Sequence, residues 1–399
     1  MRRVGITGVG AVTPFGCGIG HLDRALREGR SALAEAKTFS VEGLRASKVG
    51  EIGDAILAET PFDANNQRCL GLAVLAANEA LDEAGIQDLR SRRTCLALGT
   101  VGEARAAEEL MMSATQETAL HQMQVRPPAI SIAAELVESL DLRARWFTFV
   151  NACAAGSNAI ATCFDRIRLG ESDVGVAGGV EILSRPMQAG FNSLHALAPN
   201  RCRPFDINRE GTQLGEAAAF VVLESMAQAR DRGRAVIAEL TGYGMSADAF
   251  HPTRSDPEGL GPQVAMREAL RDANLEPEMV DYVNAHGTAT FLNDLIELKA
   301  IQAVFGERSR NIPISASKSQ LGHTAHACGA LECVVSILAL KGQYLPPTLN
   351  LETPLAGFEG FDFVRDPGRC AKLRHVMTNS FAFGGFNISL ILSQSGDLQ

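Results

Sequence analysis

The chain has 399 residues, 46% of them hydrophobic, with 37 basic against 46 acidic side chains and a formal net charge of −9. That apolar share supports a large core and excludes a disordered or fibrous chain. The acidic balance leaves no basic footprint for general nucleic-acid binding, so an acidic partner has to dock on a local patch of arginines.

Short β-rich runs alternate with helical patterns, which predicts an α/β fold. In chain order, a strand is expected over Val4–Thr7. A helix follows over Gln67–Ala84, where Leu70, Val74, Leu81 and Ala84 recur at helical steps. Strands over Thr94–Leu98 and Trp146–Val150 precede a helix over Ala154–Leu169. Strands over Val174–Ala177, Phe220–Leu223 and Val236–Leu240 come next, then a helix over Pro262–Ala273. A strand over Tyr282–Asn284, a helix over Asp294–Phe305, a strand over Ile312–Ile314 and a helix over Gly329–Leu340 complete the reading. Trp146–Phe164 carries no formal charge, but Thr148, Asn151, Gly156, Ser157, Asn158 and Thr162 within it are costly in lipid. It reads as a buried strand running into a buried helix, with no membrane insertion. The N-terminus has no apolar run of signal-peptide length. The strand, polar-small turn and helix over Phe147–Leu169 resemble those over Ile312–Leu340, half a chain away, as a duplicated fold would place them.

Cys17, Cys69, Cys95, Cys153, Cys163, Cys202, Cys328, Cys333 and Cys370 are odd in number, scattered and without C-x-x-C spacing. This fits a reducing cytoplasm rather than a disulfide framework or zinc ribbon. Four segments carry chemistry. Cys153, in Val150–Ser157, sits at a strand-to-helix turn among small neighbours, where a helix N-terminus favours thiolate; the alternative is a buried structural cysteine. The other eight cysteines read as small core or surface residues. His286, in Asn284–Thr290, follows a strand and is flanked by Gly287, Thr288 and Thr290; it is a pocket histidine or a loop histidine bonded to backbone. Lys318 and His323 share a glycine-bearing turn. A metal set of His323, His326 and Cys328 lacks a fourth ligand at suitable local spacing, so no metal is expected. Asn379–Asn387 places Gly384-Gly385 between aromatics, as a ligand-facing turn or an ordinary hairpin. Gly8-Val9-Gly10 imitates a dinucleotide fingerprint. Thr13 stands at its third position, however, and Pro14 interrupts the required helix.

In this order, the four segments resemble the β-ketoacyl-acyl-carrier-protein synthases of fatty-acid and polyketide synthesis, most closely the elongating Cys-His-His type. Further motifs are Ile6–Gly10, Ala177–Glu181, Arg203–Asp206 and Arg209–Gly211. The resemblance implies a duplicated thiolase-like fold with α-β-α-β-α layers, halves 1–235 and 236–399, and a homodimer or a heterodimer with a related ketosynthase-like subunit. It implies that Cys153 takes an acyl group from an acyl carrier protein. His286 and His323 would then stabilise the enolate formed when malonyl carrier protein loses carbon dioxide. By the same resemblance, the backbone N–H groups of Cys153 and Phe383 form the oxyanion hole. Lys318 tunes the field around His323, Glu332 is the supporting carboxylate, and Phe383 is the gatekeeper to the acyl pocket. Thr288 and Thr290 contact the phosphopantetheine arm, which arrives on the carrier, so no bound cofactor is expected.

Departures concern the substrate. Val101 stands where larger aliphatics line the acyl pocket, and His195 where relatives often place a carrier-binding arginine. Ala382, Phe386, Phe291 and the run His326-Ala327-Cys328 depart from the usual gate and turn sequences. A polyene or other polyketide pathway thus stands beside fatty-acid elongation. The competing classes are a chain-length-factor-like partner without catalysis, which typically lacks the cysteine, and a degradative thiolase, which uses a second cysteine as base.

Overall fold

The computed structural model describes residues 1–58, 60–63, 67–86, 88–103 and 128–396. Its sheet is built from β1 (Val4–Thr13), β2 (Thr94–Gly99), β3 (Ala144–Phe149), β4 (Val174–Glu181) and β5 (Ala217–Ser225). The second half adds β6 (Ala238–Ala247), β7 (Tyr282–Asn284), β8 (Ile314–Ser315), β9 (His375–Ala382) and β10 (Phe386–Ser393). The spatial order is β8-β7-β9-β10-β6-β1-β5-β4-β2-β3. Outward from the centre, one half runs β1, β5, β4, β2, β3 and the other β6, β10, β9, β7, β8. In each, the first two neighbour pairs are antiparallel and the last two parallel. Strands β1 and β6 join the halves through Val4–Leu240, Gly5–Glu239 and Ile6–Ala238. The chain is therefore a duplicated α/β fold.

Helix α1 (Arg68–Ala84) covers the outer face of the first half. Helices α2 (Ala155–Arg168) and α6 (Cys328–Gly342) lie between the halves, each touching strands of both. Helix α3 (Arg185–Ser193) packs Met187 and Phe191 against a small separate cluster that includes Leu183, Leu197 and Leu214, while α4 (Leu260–Ala273) and α5 (Phe291–Phe305) cover the second half. Three large apolar clusters correspond to these layers: one around α2 and α6, one under α1 and one under α4 and α5. Apolar on all sides, α6 is a core helix. Ala325–Gly342 is long and apolar enough to cross a membrane, yet 83% of it is buried inside the protein. The expected buried strand at Trp146 is different: among the described strands β3 lies at the sheet edge, and Trp146 is 38% exposed.

The repeat reaches single residues. Ala152-Cys153-Ala154-Ala155-Gly156 leads into α2 as Ala325-His326-Ala327-Cys328-Gly329 leads into α6. Both pass through a short 3-10 turn, and both first alanines have positive φ, 51° and 37°. The central helices meet at the two glycines. A Cβ on Gly156 would stand 2.7 Å from the Ala330 nitrogen, and one on Gly329 2.8 Å from the Ser157 nitrogen. Gly156→Ala is expected to cost about 1–3 kcal/mol by overpacking, read as a lower urea midpoint at unchanged m. An unchanged midpoint would show that the helices have room to part. Gly8 and Gly10 belong to β1 for a related reason. A Cβ there would lie 1.9 and 2.0 Å from the carbonyls of Ala80 and Ala76, so these glycines let α1 lie on the sheet and form no phosphate loop.

Candidate active site

Cys153 lies in the turn between β3 and α2, buried at 5% exposure and at the positive end of the helix. Its Sγ is 3.1 Å from His323 Nε2 and also hydrogen-bonds His286. The two imidazoles meet edge to face with centroids 5.6 Å apart. Their partners define their protons. The Ala325 N–H donates to His323 Nδ1 at 3.1 Å, and Lys318 Nζ lies 3.3 Å from His286 Nδ1. An Nδ1 that accepts leaves the ring proton on Nε2, so both histidines present Nε2–H to the space above the sulfur. Burial, then the Lys318 charge, pushes the His286 pKa down to about 3, which keeps that ring neutral.

The thiol of Cys153 is held well below its ordinary pKa. The Cys328 thiol hydrogen-bonded to it is the largest cause, and the two histidines add to it against the penalty of burial. Cys328 opens α6, and its Sγ lies 3.2 Å from the Cys153 carbonyl oxygen. It is therefore no mere core filler, contrary to the sequence expectation; the duplication brings it to Cys153 from half a chain away. The expected place of Lys318 also changes. Its ammonium sits against His286, 2.5 Å from that residue's carbonyl oxygen, and is paired with buried Glu332, rather than against His323. Lys318 opens a short helix facing α6, which places its amine over Glu332. Burial lowers the Lys318 pKa, but Glu332 more than offsets this and the side chain stays charged.

Glu297 on α5 was not foreseen. Its carboxylate accepts the N–H groups of His286 and Gly287, each at 2.8 Å, and fixes the histidine loop. Asp294 does the same for Ala289 at 3.0 Å. The acidic residues of Asn293-Asp294-Leu295-Ile296-Glu297, just after the histidine motif, were the available signal. His326 stands apart from His323. Its Nδ1 lies 2.5 Å from Glu181 Oε2, and the donor atoms that converge with those of His323 and Cys328 are those of Cys153 instead.

Two cavities open on the sulfur. A narrow one of about 60 Å³ is lined by Cys153, both active-site histidines, Thr288, Thr290, Phe191 and Phe383, with Thr253, Arg254 and Ser255 among its other walls. Thr288 and Thr290 pair their hydroxyls at 2.9 Å. The second, about 320 Å³, is lined by Val101, Ile182, Met187 and the Glu181–His326 pair. Cys153, Phe191 and Phe383 are walls of both, which places Phe383 between them. Gly384 and Gly385 adopt φ of 84° and 74°, and the Phe386 ring packs over Gly384, where a Cβ would meet it at 2.7 Å. Phe291 is exposed beneath the Arg209 guanidinium. His195 is exposed and lines neither cavity.

A duplicated five-layer fold with one activated thiol beside two imidazoles, open to two cavities, defines an acyl-transferring enzyme of the thiolase-like class. The chain belongs to the β-ketoacyl synthase family. The model of "Beta-ketoacyl synthase, N-terminal domain" matches residues 1–229, and that of "Beta-ketoacyl synthase, C-terminal domain" matches 237–352. The chain is 35% identical to 3-oxoacyl-[acyl-carrier-protein] synthase 2 of Coxiella burnetii, covering 99% of both chains. It is 36% identical to nodulation protein E of Rhizobium meliloti, covering 98% of this chain and 99% of that one. The solved ishigamide ketosynthase/chain length factor superposes with a TM-score of 0.92 at 34% identity, over 99% of this chain and 100% of that one.

Proposed function

We propose that the protein is a decarboxylating condensing enzyme that extends an acyl chain on an acyl carrier protein. The Cys153 thiolate attacks the acyl thioester carbonyl and releases the carrier's thiol, leaving an acyl-enzyme. Malonyl carrier protein then loses carbon dioxide, and the Nε2–H groups of His286 and His323 stabilise the enolate oxygen. The enolate carbon attacks the acyl-Cys153 carbonyl. The resulting oxyanion is held by the N–H groups of Cys153 and Phe383 and collapses to release the thiolate and a 3-oxoacyl carrier protein. The observation that carries this reading is the pair of Nε2–H donors beside one activated sulfur, since fixed donors in a dry site act most strongly on developing charge. The intact trio also favours an enzyme over a non-catalytic chain-length-factor-like partner. The test is release of carbon dioxide from malonyl carrier protein by the acylated enzyme; no release would remove the proposal.

The narrow cavity would take the phosphopantetheine arm along Thr288 and Thr290, and the larger one the acyl chain past Phe383 toward Val101. Arg254 at the narrow mouth is placed to meet the arm's phosphate. Arg254→Ala is expected to raise KM for the carrier substrate about tenfold with little change in kcat, in line with loss of a charged hydrogen bond. A fall in kcat alone would contradict that role. The exposed edge of β3, with Trp146 and Val150 uncovered, would pair with a second chain, identical or related. Nine free cysteines fit a cytoplasmic enzyme. The chemistry needs no bound cofactor.

A further inference from the structure

We propose that Cys153 and Cys328 form a reversible oxidation site, in which Cys328 resolves the sulfenic acid that a hydroperoxide makes on Cys153. The donor atoms of Cys153, Cys328 and His323 all lie within 4.8 Å of one another. Cys328 is 2% exposed, and its thiol already contacts the Cys153 carbonyl oxygen at 3.2 Å. Cys153 lies in the turn before α2 and Cys328 opens α6, so the two sulfurs stand at the N-terminal ends of the two central helices. The narrow cavity reaches Cys153 and is wide enough for a small hydroperoxide. Side-chain rotation has to close the two sulfurs to the roughly 2 Å of a disulfide.

The steps balance. The Cys153 thiolate attacks the distal oxygen of the hydroperoxide, the O–O bond breaks, and the alcohol leaves after taking a proton. The Cys328 sulfur then attacks the sulfenic sulfur, an S–S bond forms, and water leaves with the thiol proton. Two thiols supply the two electrons that reduce the peroxide. The disulfide removes the nucleophile, blocking acylation. It also keeps Cys153 from reaching sulfinic acid, from which most proteins have no return. The Cys95–Cys163 pair is closer, at 3.4 Å between sulfurs, but both residues lie in the central core and line neither active-site cavity.

The test treats the purified full chain with hydrogen peroxide and follows intact mass, disulfide-linked peptides and acylation before and after dithiothreitol. The expected result is a mass about 2 Da lower, a Cys153–Cys328 linked peptide and recovery of acylation on reduction. In Cys328→Ala, Cys153 should instead gain about 32 Da (two oxygens). Its recovery, relative to its own untreated level, should be at least about tenfold poorer than that of the parent. A parent protein that stays reduced, links only Cys95 to Cys163, or carries oxygens on Cys153 without the link overturns the proposal. Equal recovery in the variant overturns it too. The linked peptide in the parent decides the matter even if the variant fails to fold, and because it is a mass readout it does not depend on the condensing reaction.

Discussion

Replacing His286 by alanine is expected to slow condensation by about 10²–10³-fold, the cost of removing one fixed donor from developing oxyanion charge. Acyl transfer to Cys153 should fall far less, because His323 remains 3.1 Å from the sulfur. The two steps separate in single-turnover experiments: acyl-enzyme formation by intact mass, and loss of carbon dioxide from malonyl carrier protein added afterwards. Equal losses in both steps would argue against an enolate role. The same ring gives a pH expectation. Its pKa is depressed to about 3 by burial and by Lys318, so the neutral donor persists down to that pH and is lost only below it. The decarboxylation step should therefore show no acid limb from His286 near the ordinary histidine value of about 6.5. Lys318→Met removes the positive charge and should move that limb upward, since one of the causes that hold the pKa down is then gone. A limb that stays in place would show that Lys318 does not act on His286.

Cys153→Ala is expected to abolish both the acyl adduct and condensation, a loss of at least about 10³-fold for removal of a nucleophile. Cys328 should not take over, although it lies in the same centre. Burial, the largest cause of its raised pKa, persists in the variant, so the Cys328 thiol remains a poor nucleophile. Intact mass after incubation with acyl carrier protein reads this directly. An adduct of unchanged yield in the variant would move the nucleophile elsewhere.

Much of this was legible in the sequence because it is local. β7 coincides with the strand expected over Tyr282–Asn284, and α1 and α4 match the expected helices to within two residues. The paired strands β9 and β10 were legible only as the hairpin alternative around Gly384-Gly385, not in their full length. Thr378, Asn379, Ser380, Asn387 and Ser389 break the apolar alternation, and each is buried. Asn379 Oδ1 accepts the Ser389 hydroxyl at 2.8 Å, a satisfied polar contact that no hydropathy pattern reports. The site divides in the same way. Cys153, His286 and His323 stand in recognisable turns. Glu297, which grips the His286 loop, and Cys328, which faces Cys153, act through contacts between distant segments. Lys318 was found by its motif, but its partner was misjudged, because sequence order places it five residues before His323 while the fold turns its amine toward His286 and Glu332. The internal repeat was visible as two strand–turn–helix units. Its meaning, two central helices meeting at Gly156 and Gly329, required the sheet order.

The most direct measurement supplies the purified protein with acyl carrier protein carrying a medium-length acyl chain and malonyl carrier protein labelled with carbon-13 in the two carbons that are retained. Carrier products are then read by mass spectrometry. The expected result is a 3-oxoacyl carrier protein longer by both labelled carbons, with one carbon dioxide released per product and none of this product from Cys153→Ala. Acylated Cys153 that never yields the extended carrier, with malonyl carrier protein left unconsumed, would contradict the account.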